Sequence, residues 1–338
     1  MLDAPSITDP FEIQFPELGW TFHINPTAFT VFGIDIQWYG LIITFGLVLA
    51  MVYVMPRMKK FGIDSESAID AIICGVLGGI VGARAYYVIL RWDSYKGDLM
   101  SIINTRNGGL AIYGGLIGAI SVGLIACKVR RIKFLPMLDI CSLGFLIGQG
   151  IGRWGNFVNQ EAFGTNTDNI LGMTGGEIRR TILESSSLCE TMDYLKPVHP
   201  CFLYESVWCL LGFLLISLYS KRRKYDGQIL LMYMAWYGAE RFVVEGLRTD
   251  SLMSGNIRFS QMLSLVICVV SVIVQTVMFF SVRRNPEKYT LYCNTEECMA
   301  WLDELKRRRT AETETEEEYK SITDDDNITS SEENQEEK

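Results

Sequence analysis

Seven long apolar runs constrain what this chain of 338 residues can fold into more than any other feature. A helix of about 20 apolar residues crosses a bilayer, and each run approaches that length. The runs cover residues 39–55, 68–90, 109–127, 137–151, 202–220, 228–246 and 260–281. One such run is compatible with a buried helix of a large soluble protein, but seven together favour membrane spans. The positive mean hydropathy agrees, and the chain is predicted to be an all-α integral membrane protein with seven transmembrane helices.

The lysines and arginines of the short connections predict how these helices are oriented. The first, third and fifth connections and the segment after the seventh run are basic, whereas residues 1–37 contain no lysine or arginine. The basic residues are Arg57, Lys59, Lys60, Lys128, Arg130, Arg131, Lys133, Lys221, Arg222, Arg223, Lys224, Arg283 and Arg284. Because basic connections lie in the cytoplasm, the amino terminus is predicted outside and the carboxyl terminus inside.

This topology divides the chain into three segments. Residues 1–37 form an external amino-terminal arm, residues 38–282 the seven-helix domain with an external loop at about 153–201, and residues 283–338 a cytoplasmic tail. The tail holds 9 Lys+Arg and 17 Asp+Glu, which accounts for the whole net charge of −8. Within it, residues 298–309 are predicted to form a short helix. Residues 312–338 are predicted to be disordered, because they have too few apolar residues to form a core.

Ionisable and phenolic side chains gather near one end of the predicted spans. They are Arg84 in the second run, Arg153 closing the fourth, His199, Tyr204 and Glu205 opening the fifth, and Arg241, Glu245 and Arg248 closing the sixth. A charged side chain at membrane depth is costly and marks function, unless it is a solvated helix end or a self-satisfied ion pair. Because four spans contribute, we expect a functional site toward the external leaflet.

The segment 148–164 is the richest in glycine and polar residues. Arg153 offers a rigid fork of donors that suits a phosphate, and Asn156, Asn159 and Glu161 add donors and acceptors just beyond it. The glycine spacing matches a dinucleotide-binding motif, but no strand precedes it, so this interpretation is weak. Close packing between helices explains the glycines, but it does not explain the polar residues beside them.

The end of the sixth run places three charged residues on one helix face. Arg241, Glu245 and Arg248 stand at positions i, i+4 and i+7. Glu245 is expected to bridge both arginines and so to fix the directions of their guanidinium groups. The alternative is a self-satisfied ion pair with a purely structural role.

Six ordered motifs between Gln37 and Asp250 resemble the prolipoprotein diacylglyceryl transferase family. They are QWYG at 37–40, GARAY at 82–86, GGLAIYGGLIG at 108–118, GRWGNFVNQEAFG at 152–164, HPCFLYE at 199–205 and RFVVEGLRTD at 241–250. The resemblance implies a multi-pass enzyme of the bacterial plasma membrane with its active site toward the external leaflet. The implied reaction moves the sn-1,2-diacylglyceryl group of phosphatidylglycerol to the lipobox cysteine of a prolipoprotein and releases glycerol phosphate. It implies no metal or organic cofactor, and its partners are membrane lipid and the lipobox peptide, with no nucleic acid.

The resemblance also implies roles for single residues. Arg153 and Arg241 match the family's essential arginines and are expected to hold the phosphate, which leaves as an anion. Tyr113 stands where some members place a histidine assigned as the base, and a phenol with a pKa near 10 is a poorer base at neutral pH. Tyr113 is then expected to orient the thiol or the phosphate, His199 is the alternative base, and the choice stays open. The residues expected to bind or position substrate are Tyr39, Arg84, Gly152, Asn156, Asn159, Glu161, Tyr204, Glu205, Glu245 and Arg248.

Two other functions use a polar cluster of this kind. A small transporter or lipid-binding protein would often carry internal repeats, and none is convincing here. An intramembrane protease would need a Gly-x-Ser-x-Gly turn or paired aspartates at the external side, and neither is evident. The nine cysteines are scattered: the spacing of Cys293 and Cys298 does not suit a zinc knuckle, and a disulfide between Cys189 and Cys201 stays open.

Overall fold

The computed structural model describes residues 9–97, 99–104, 108–250, 253–254 and 257–311. Within these ranges the helices are α1 Trp38–Val54, α2 Ser65–Leu90, α3 Trp92–Tyr95, α4 Leu99–Ile103, α5 Ile112–Val129, α6 Phe134–Asn159, α7 Gly176–Glu184, α8 Ser186–Thr191, α9 Cys201–Ser220, α10 Gln228–Leu247 and α11 Phe259–Arg284. A further helix covers residues 296–311. The seven long helices α1, α2, α5, α6, α9, α10 and α11 coincide with the seven predicted runs.

Six of the long helices in the described ranges are long and apolar enough to cross a membrane, and α10 is the exception. Its carboxyl-terminal half carries Glu240, Arg241 and Glu245, which lower its apolarity. The chain is therefore a mostly helical, multi-pass membrane protein. The seventh span and the orientation of the termini stay predictions.

Helices α6 and α5 differ from their predicted runs near the polar residues. The helix α6 extends beyond the run 137–151 at both ends, so Arg153 lies inside a helix and does not close it. Helical hydrogen bonds do not depend on apolar side chains, and α6 ends only where Gln160 adopts a left-handed φ of 53°. The helix α5 begins at Ile112, three residues after the start of the predicted run at 109, because the glycines just before it have positive φ angles.

Glycines bring α2 and α5 into close contact along their length. A Cβ added to Gly82 would lie 2.5 Å from the carbonyl oxygen of Gly114. A Cβ on Gly118 would likewise clash with the backbone of Gly78. Small residues at such positions let two membrane helices approach until their backbones touch. The glycine-rich stretches of these two helices therefore form a packing surface.

A small mixed layer caps the end of the bundle at which α1 begins, here called the head end. The strand β1 (Glu12–Phe15) pairs antiparallel with β2 (Trp20–His23) and with β5 (Thr174–Gly175). A hairpin of β3 (Thr27–Val31) and β4 (Ile34–Gln37) leads into α1, and β6 (Met253–Ser254) pairs with β7 (Ile257–Arg258) before α11. Buried side chains of this layer pack against Phe157 of α6 and Phe202 of α9. This core holds the end of α6 beside the start of α9.

The segment after α11 packs against the opposite end of the bundle, here called the tail end. Arg309 donates two hydrogen bonds to the carboxylate of Asp64, at 2.9 and 2.6 Å. Burial works against the charged form of Asp64, but the bonds from Arg309 and Ser67 outweigh it and hold the pKa of that carboxyl below its usual range. The helix at 296–311 includes the predicted stretch 298–309. The predicted disordered stretch 312–338 lies outside the described residues.

All nine cysteines have free thiols. Cys189 is exposed and Cys201 is buried, so the disulfide that the sequence left open is absent from this structure.

Candidate active site

One buried carboxylate gathers three arginines from two other elements of the bundle. Glu205, in the first turns of α9, is 1% exposed and forms an ion pair with Arg153 of α6. Its Oε2 also lies 3.7 Å from Nη1 of Arg241 in α10, and its Oε1 lies 3.5 Å from Nη1 of Arg248. A buried charge of this kind persists only when it is paired, so Glu205 and the three arginines stabilise one another.

Two more carboxylates complete this cluster. Glu245 pairs with Arg241 one turn away on α10, and Asp250 accepts hydrogen bonds from Nε and Nη2 of Arg248 at 2.8 and 2.5 Å. Burial opposes the charged form of Asp250, but the bonds from Arg248 hold the pKa of this carboxyl below its usual range. The spacing in the sequence predicted that Glu245 bridges Arg241 and Arg248. In the structure Glu245 pairs with Arg241 and lies within electrostatic range of Arg248, and Glu205 is a further partner of both arginines and of Arg153.

The end of α6 arranges a second set of polar groups beside Arg153. Asn156 Oδ1 lies 3.4 Å from Nη1 of Arg153, and Asn156 Nδ2 donates to Oε1 of Glu161 at 2.8 Å. Asn159 reaches the same carboxylate oxygen at 3.4 Å. The left-handed Gln160 ends the helix and lets the chain turn back, so that the amide of Glu161 bonds to the carbonyl of Asn156 at 3.0 Å. Asn156 is thereby held between the arginine and an exposed carboxylate.

Tyr39 of α1 reaches this region because α6 has glycines there. A Cβ on Gly155 would lie 2.6 Å from the ring of Tyr39. Tyr39 is within electrostatic range of Glu161 and Arg153. Gly152 also faces α1, with Ile43 4.0 Å from the position of its missing Cβ. The expected neighbours Tyr39, Gly152, Asn156 and Glu161 therefore do lie around Arg153.

His199 precedes α9 and lies beside Tyr204. Its Nδ1 is 3.2 Å from the Tyr204 hydroxyl. Its backbone is held on both sides, because its amide bonds to Thr165 and its carbonyl accepts from Gly164, both at 3.0 Å. Burial lowers the pKa of His199, since an imidazolium loses hydration in this environment. The imidazole is therefore neutral at neutral pH and able to accept a proton.

Two predicted site residues lie apart from the arginine cluster. Tyr113 lies in the first turn of α5, and its ring centroid is 6.4 Å from that of Phe259. Within the described ranges no hydrogen bond or ion pair joins Tyr113 to Arg153 or Arg241. Arg84 donates to four backbone carbonyls, at distances of 2.6–3.1 Å. These carbonyls belong to Ser101, Ile102, Gly108 and Gly109, so Arg84 holds the connection between α2 and α5 against α2.

Glu240 is a site residue that the sequence reasoning missed. It is 4% exposed, and in the part of the chain that the structure describes its carboxylate has no hydrogen bond or ion pair. It lies within electrostatic range of Glu205, Arg153 and Arg241. The signal was present in the sequence, because an acidic residue inside a predicted span is itself a functional hypothesis.

Indole groups and a hydroxyl fix the helices that carry the cluster. Trp208 of α9 and Trp236 of α10 stack at 4.5 Å, and each donates its Nε1–H to the backbone carbonyl of the other at 3.1 and 3.0 Å. Ser206 donates to the carbonyl of Gly150 in α6 at 2.7 Å and accepts from Trp154 at 3.1 Å. These bonds set the register of α6, α9 and α10, and therefore the positions of Arg153, Glu205 and Arg241.

Comparison with known proteins gives one consistent result. The family model of prolipoprotein diacylglyceryl transferase matches residues 26–277. A phosphatidylglycerol–prolipoprotein diacylglyceryl transferase of Finegoldia magna is 44% identical over 266 residues, which is 78% of this chain and all of that relative. Relatives with the same description from Clostridioides difficile and Bacillus cytotoxicus are 41% and 40% identical, over 72% and 79% of this chain and 91% and 95% of theirs.

Proposed function

Because the chain belongs to the prolipoprotein diacylglyceryl transferase family, we propose that it transfers a diacylglyceryl group from phosphatidylglycerol to the lipobox cysteine of prolipoproteins. Glycerol phosphate is the second product, and the reaction is the first step of bacterial lipoprotein maturation. The observation that carries the proposal is the group of three arginines around Glu205. Such a group suits an anionic lipid headgroup within a membrane protein.

In this proposal Arg153 and Arg241 bind the phosphate. Each guanidinium has five N–H donors, and the ion pairs with Glu205 occupy only part of them. Their side chains are 19% and 18% exposed, so both are within reach of a ligand. Donors already held in place stabilise the charge that develops on the leaving phosphate without further reorganisation.

The chemistry of the transfer is a displacement at carbon. The cysteine sulfur attacks the sn-3 carbon of the diacylglyceryl group, the sulfur–carbon bond forms and the carbon–oxygen bond to phosphate breaks. Glycerol phosphate leaves with the electron pair of that bond. The thiolate is the reactive form of cysteine, and the thiol proton passes to a base.

His199 is the base in this proposal, and Tyr113 has an orienting role. Support comes from the lowered pKa of His199, which keeps the imidazole neutral and ready to accept a proton. When Nδ1 carries the proton and donates to Tyr204, Nε2 is the accepting atom. Tyr113 lies in the first turn of α5, at the same end of the bundle, but in the described ranges it forms no hydrogen bond or ion pair with Arg153 or Arg241.

The other predicted residues act in the proposal as supports or headgroup ligands. Glu205, Glu245 and Arg248 align Arg153 and Arg241 through their ion pairs. The residues that surround the headgroup or the peptide are Tyr39, Arg84, Gly152, Asn156, Asn159, Glu161 and Tyr204, with Arg84 acting through the connection that it holds.

The proposed topology makes α10 the seventh span, with the head end outside the bacterial plasma membrane. The ionisable residues of α10 support this, because Glu240 and Glu245 are buried inside the bundle and so do not meet lipid. The basic connections also support it. Arg223 bonds to the carbonyl of Lys60, and Lys133 pairs with Glu297, so these basic segments meet at the tail end.

The test is a transfer assay with a synthetic lipobox peptide in liposomes made of phosphatidylglycerol. The mass of the peptide and the release of glycerol phosphate are measured together. Both products should appear, and a peptide with serine in place of cysteine should give neither. Arg153→Ala and Arg241→Ala should lower the rate by at least about 100-fold. Arg180→Ala is the matched control, because among the described residues Arg180 pairs only with the carboxylates of Glu177 and Glu184 on the surface of α7. Folded protein that yields neither product would contradict the proposal and favour a lipid-binding or transport function.

A further inference from the structure

The β3–β4 hairpin projects from the start of α1 with an aromatic side chain at its tip. Thr30 pairs with Asp35, and Val31 pairs with Ile34. The turn between the strands is made by Phe32 and Gly33, whose φ angles of 49° and 75° are both left-handed. A left-handed conformation is rare for a bulky residue and costs free energy. It leaves the Phe32 side chain 100% exposed.

The two faces of this hairpin differ sharply in chemistry. Residues that pair directly across two strands project to the same face. Phe29 with Ile36 and Val31 with Ile34 make one face wholly apolar. On the other face Thr30 donates to Asp35 at 2.6 Å, and Gln37 donates to Thr27 at 3.2 Å.

The apolar face has no protein partner in the part of the chain that the structure describes. Phe29, Val31 and Ile34 are 51%, 42% and 48% exposed. Neither hydrophobic core of the described residues includes them. Four large apolar side chains that converge on one small element, with Phe32 among them, form a contact surface rather than scattered exposure.

The position of the hairpin identifies what covers this face. β4 runs directly into α1 at Trp38, and the amide of Trp38 bonds to the carbonyl of Pro26 at 2.9 Å, which closes the base of the hairpin onto the helix. Trp38 and Ile43 of α1, each 43% exposed, continue the apolar surface along a helix that is apolar enough to span a membrane. An exposed tryptophan at the end of a span is typical of the membrane–water boundary.

We propose that the β3–β4 hairpin is an interfacial anchor that lies in the leaflet at the head end. Its apolar face and Phe32 contact acyl chains, and its polar face contacts water and headgroups. Residues 9–37 contain no lysine or arginine, and Asp35 is engaged by Thr30. Attachment therefore depends on apolar contact and not on anionic headgroups.

The experiment places an environment-sensitive fluorescent amino acid at position 32, 30 or 168 of the full chain in nanodiscs of phosphatidylcholine. Position 30, on the polar face, is the matched control. Position 168, an exposed aspartate at the head end, is the aqueous reference. Lipids with brominated acyl chains should quench position 32 several-fold more strongly than position 30 and should leave position 168 unaffected. The quenching should not change with high salt or with phosphatidylglycerol. The measurement needs no transfer activity, so its result is independent of whether the proposed function is correct.

Two results would overturn the anchor. Equal quenching at positions 32 and 30 would mean that the apolar face does not meet acyl chains. If brominated lipid does not quench the fluorescence at position 32 but lipobox peptide changes it, the face binds the substrate peptide. If the fluorescence changes instead with the number of chains per nanodisc, the face binds a second copy of the chain.

Discussion

Replacing Glu205 by glutamine removes the charge that three arginines share and keeps the shape of the side chain. The side chains of Arg153, Arg241 and Arg248 are 19%, 18% and 11% exposed, so water compensates them only in part. Removing one partner of a buried ion pair costs about 3–5 kcal/mol, because the other charge stays buried and unpaired. Arg241 and Arg248 keep Glu245 and Asp250 as partners. We therefore expect the lower end of that range, about 3 kcal/mol of unfolding free energy.

Glu240→Gln is the matched control for this substitution. Glu240 lies in the same part of the bundle and is also buried, but it has no ion pair within the described ranges. Neutralising a buried carboxylate that has no partner removes a cost and breaks no contact. We expect the unfolding free energy of this variant to stay within about 1 kcal/mol of the parent or to rise.

The assay is reversible unfolding in mixed micelles with increasing denaturing detergent, followed by tryptophan fluorescence, with transfer measured on the same samples. A double-mutant cycle of Glu205→Gln with Arg153→Gln isolates their pair, and contacting residues give coupling energies of about 0.5–3 kcal/mol. Equal losses in the Glu205 and Glu240 variants would refute the reasoning, because burial alone would then explain both. Full stability and activity in Glu205→Gln would refute it as well.

Three further perturbations test other parts of the molecule. With His199 as the base, kcat/KM rises with pH through the pKa of this group, and burial puts the midpoint below the ordinary value of about 6.5. His199→Gln should abolish this acid limb, and an unchanged pH profile would exclude the residue. Gly82→Ala forces a Cβ against a backbone carbonyl of α5 and should cost about 1–3 kcal/mol of unfolding free energy, whereas Gly123→Ala, with 4.0 Å of space, should not. The lowered pKa of Asp64 means that its pair with Arg309 contributes fully at neutral pH and is lost as pH falls through that lowered pKa. The hydrogen-exchange protection factors of residues 296–311 should therefore fall in acid in the parent, and in Arg309→Ala they should already be low at pH 7.

The lengths of the apolar runs were enough to locate the seven long helices, but hydropathy was not enough to define where they end. The interior of a bundle tolerates polar residues wherever another helix satisfies them. The helix α6 continues past Arg153 because Glu205 and Asn156 are partners of this arginine. The helix α10 falls below the apolarity of the other long helices because it carries Glu240, Arg241 and Glu245.

The composition of the site was predictable from the sequence, whereas its connectivity was not. Spacing along one helix predicted a link from Glu245 to both Arg241 and Arg248. In the structure Glu205 is also a partner of both arginines, and that contact joins residues far apart in the chain. Similarly, a motif showed that Arg84 was present, but not that backbone carbonyls occupy its donors.

The contact between Glu205 and the arginines has a consequence for turnover. With three guanidinium groups facing Glu205, Glu245 and Asp250, the cluster is close to electrically neutral before any ligand arrives. In the proposed function the phosphate binds the donors of Arg153 and Arg241 that Glu205 leaves open, so it adds negative charge to a cluster that is already neutral. When glycerol phosphate leaves, the ion pairs with Glu205 keep both arginines in place. Repulsion between Glu205 and the phosphate therefore weakens the binding of substrate and product alike, and we expect only mild inhibition by accumulated glycerol phosphate.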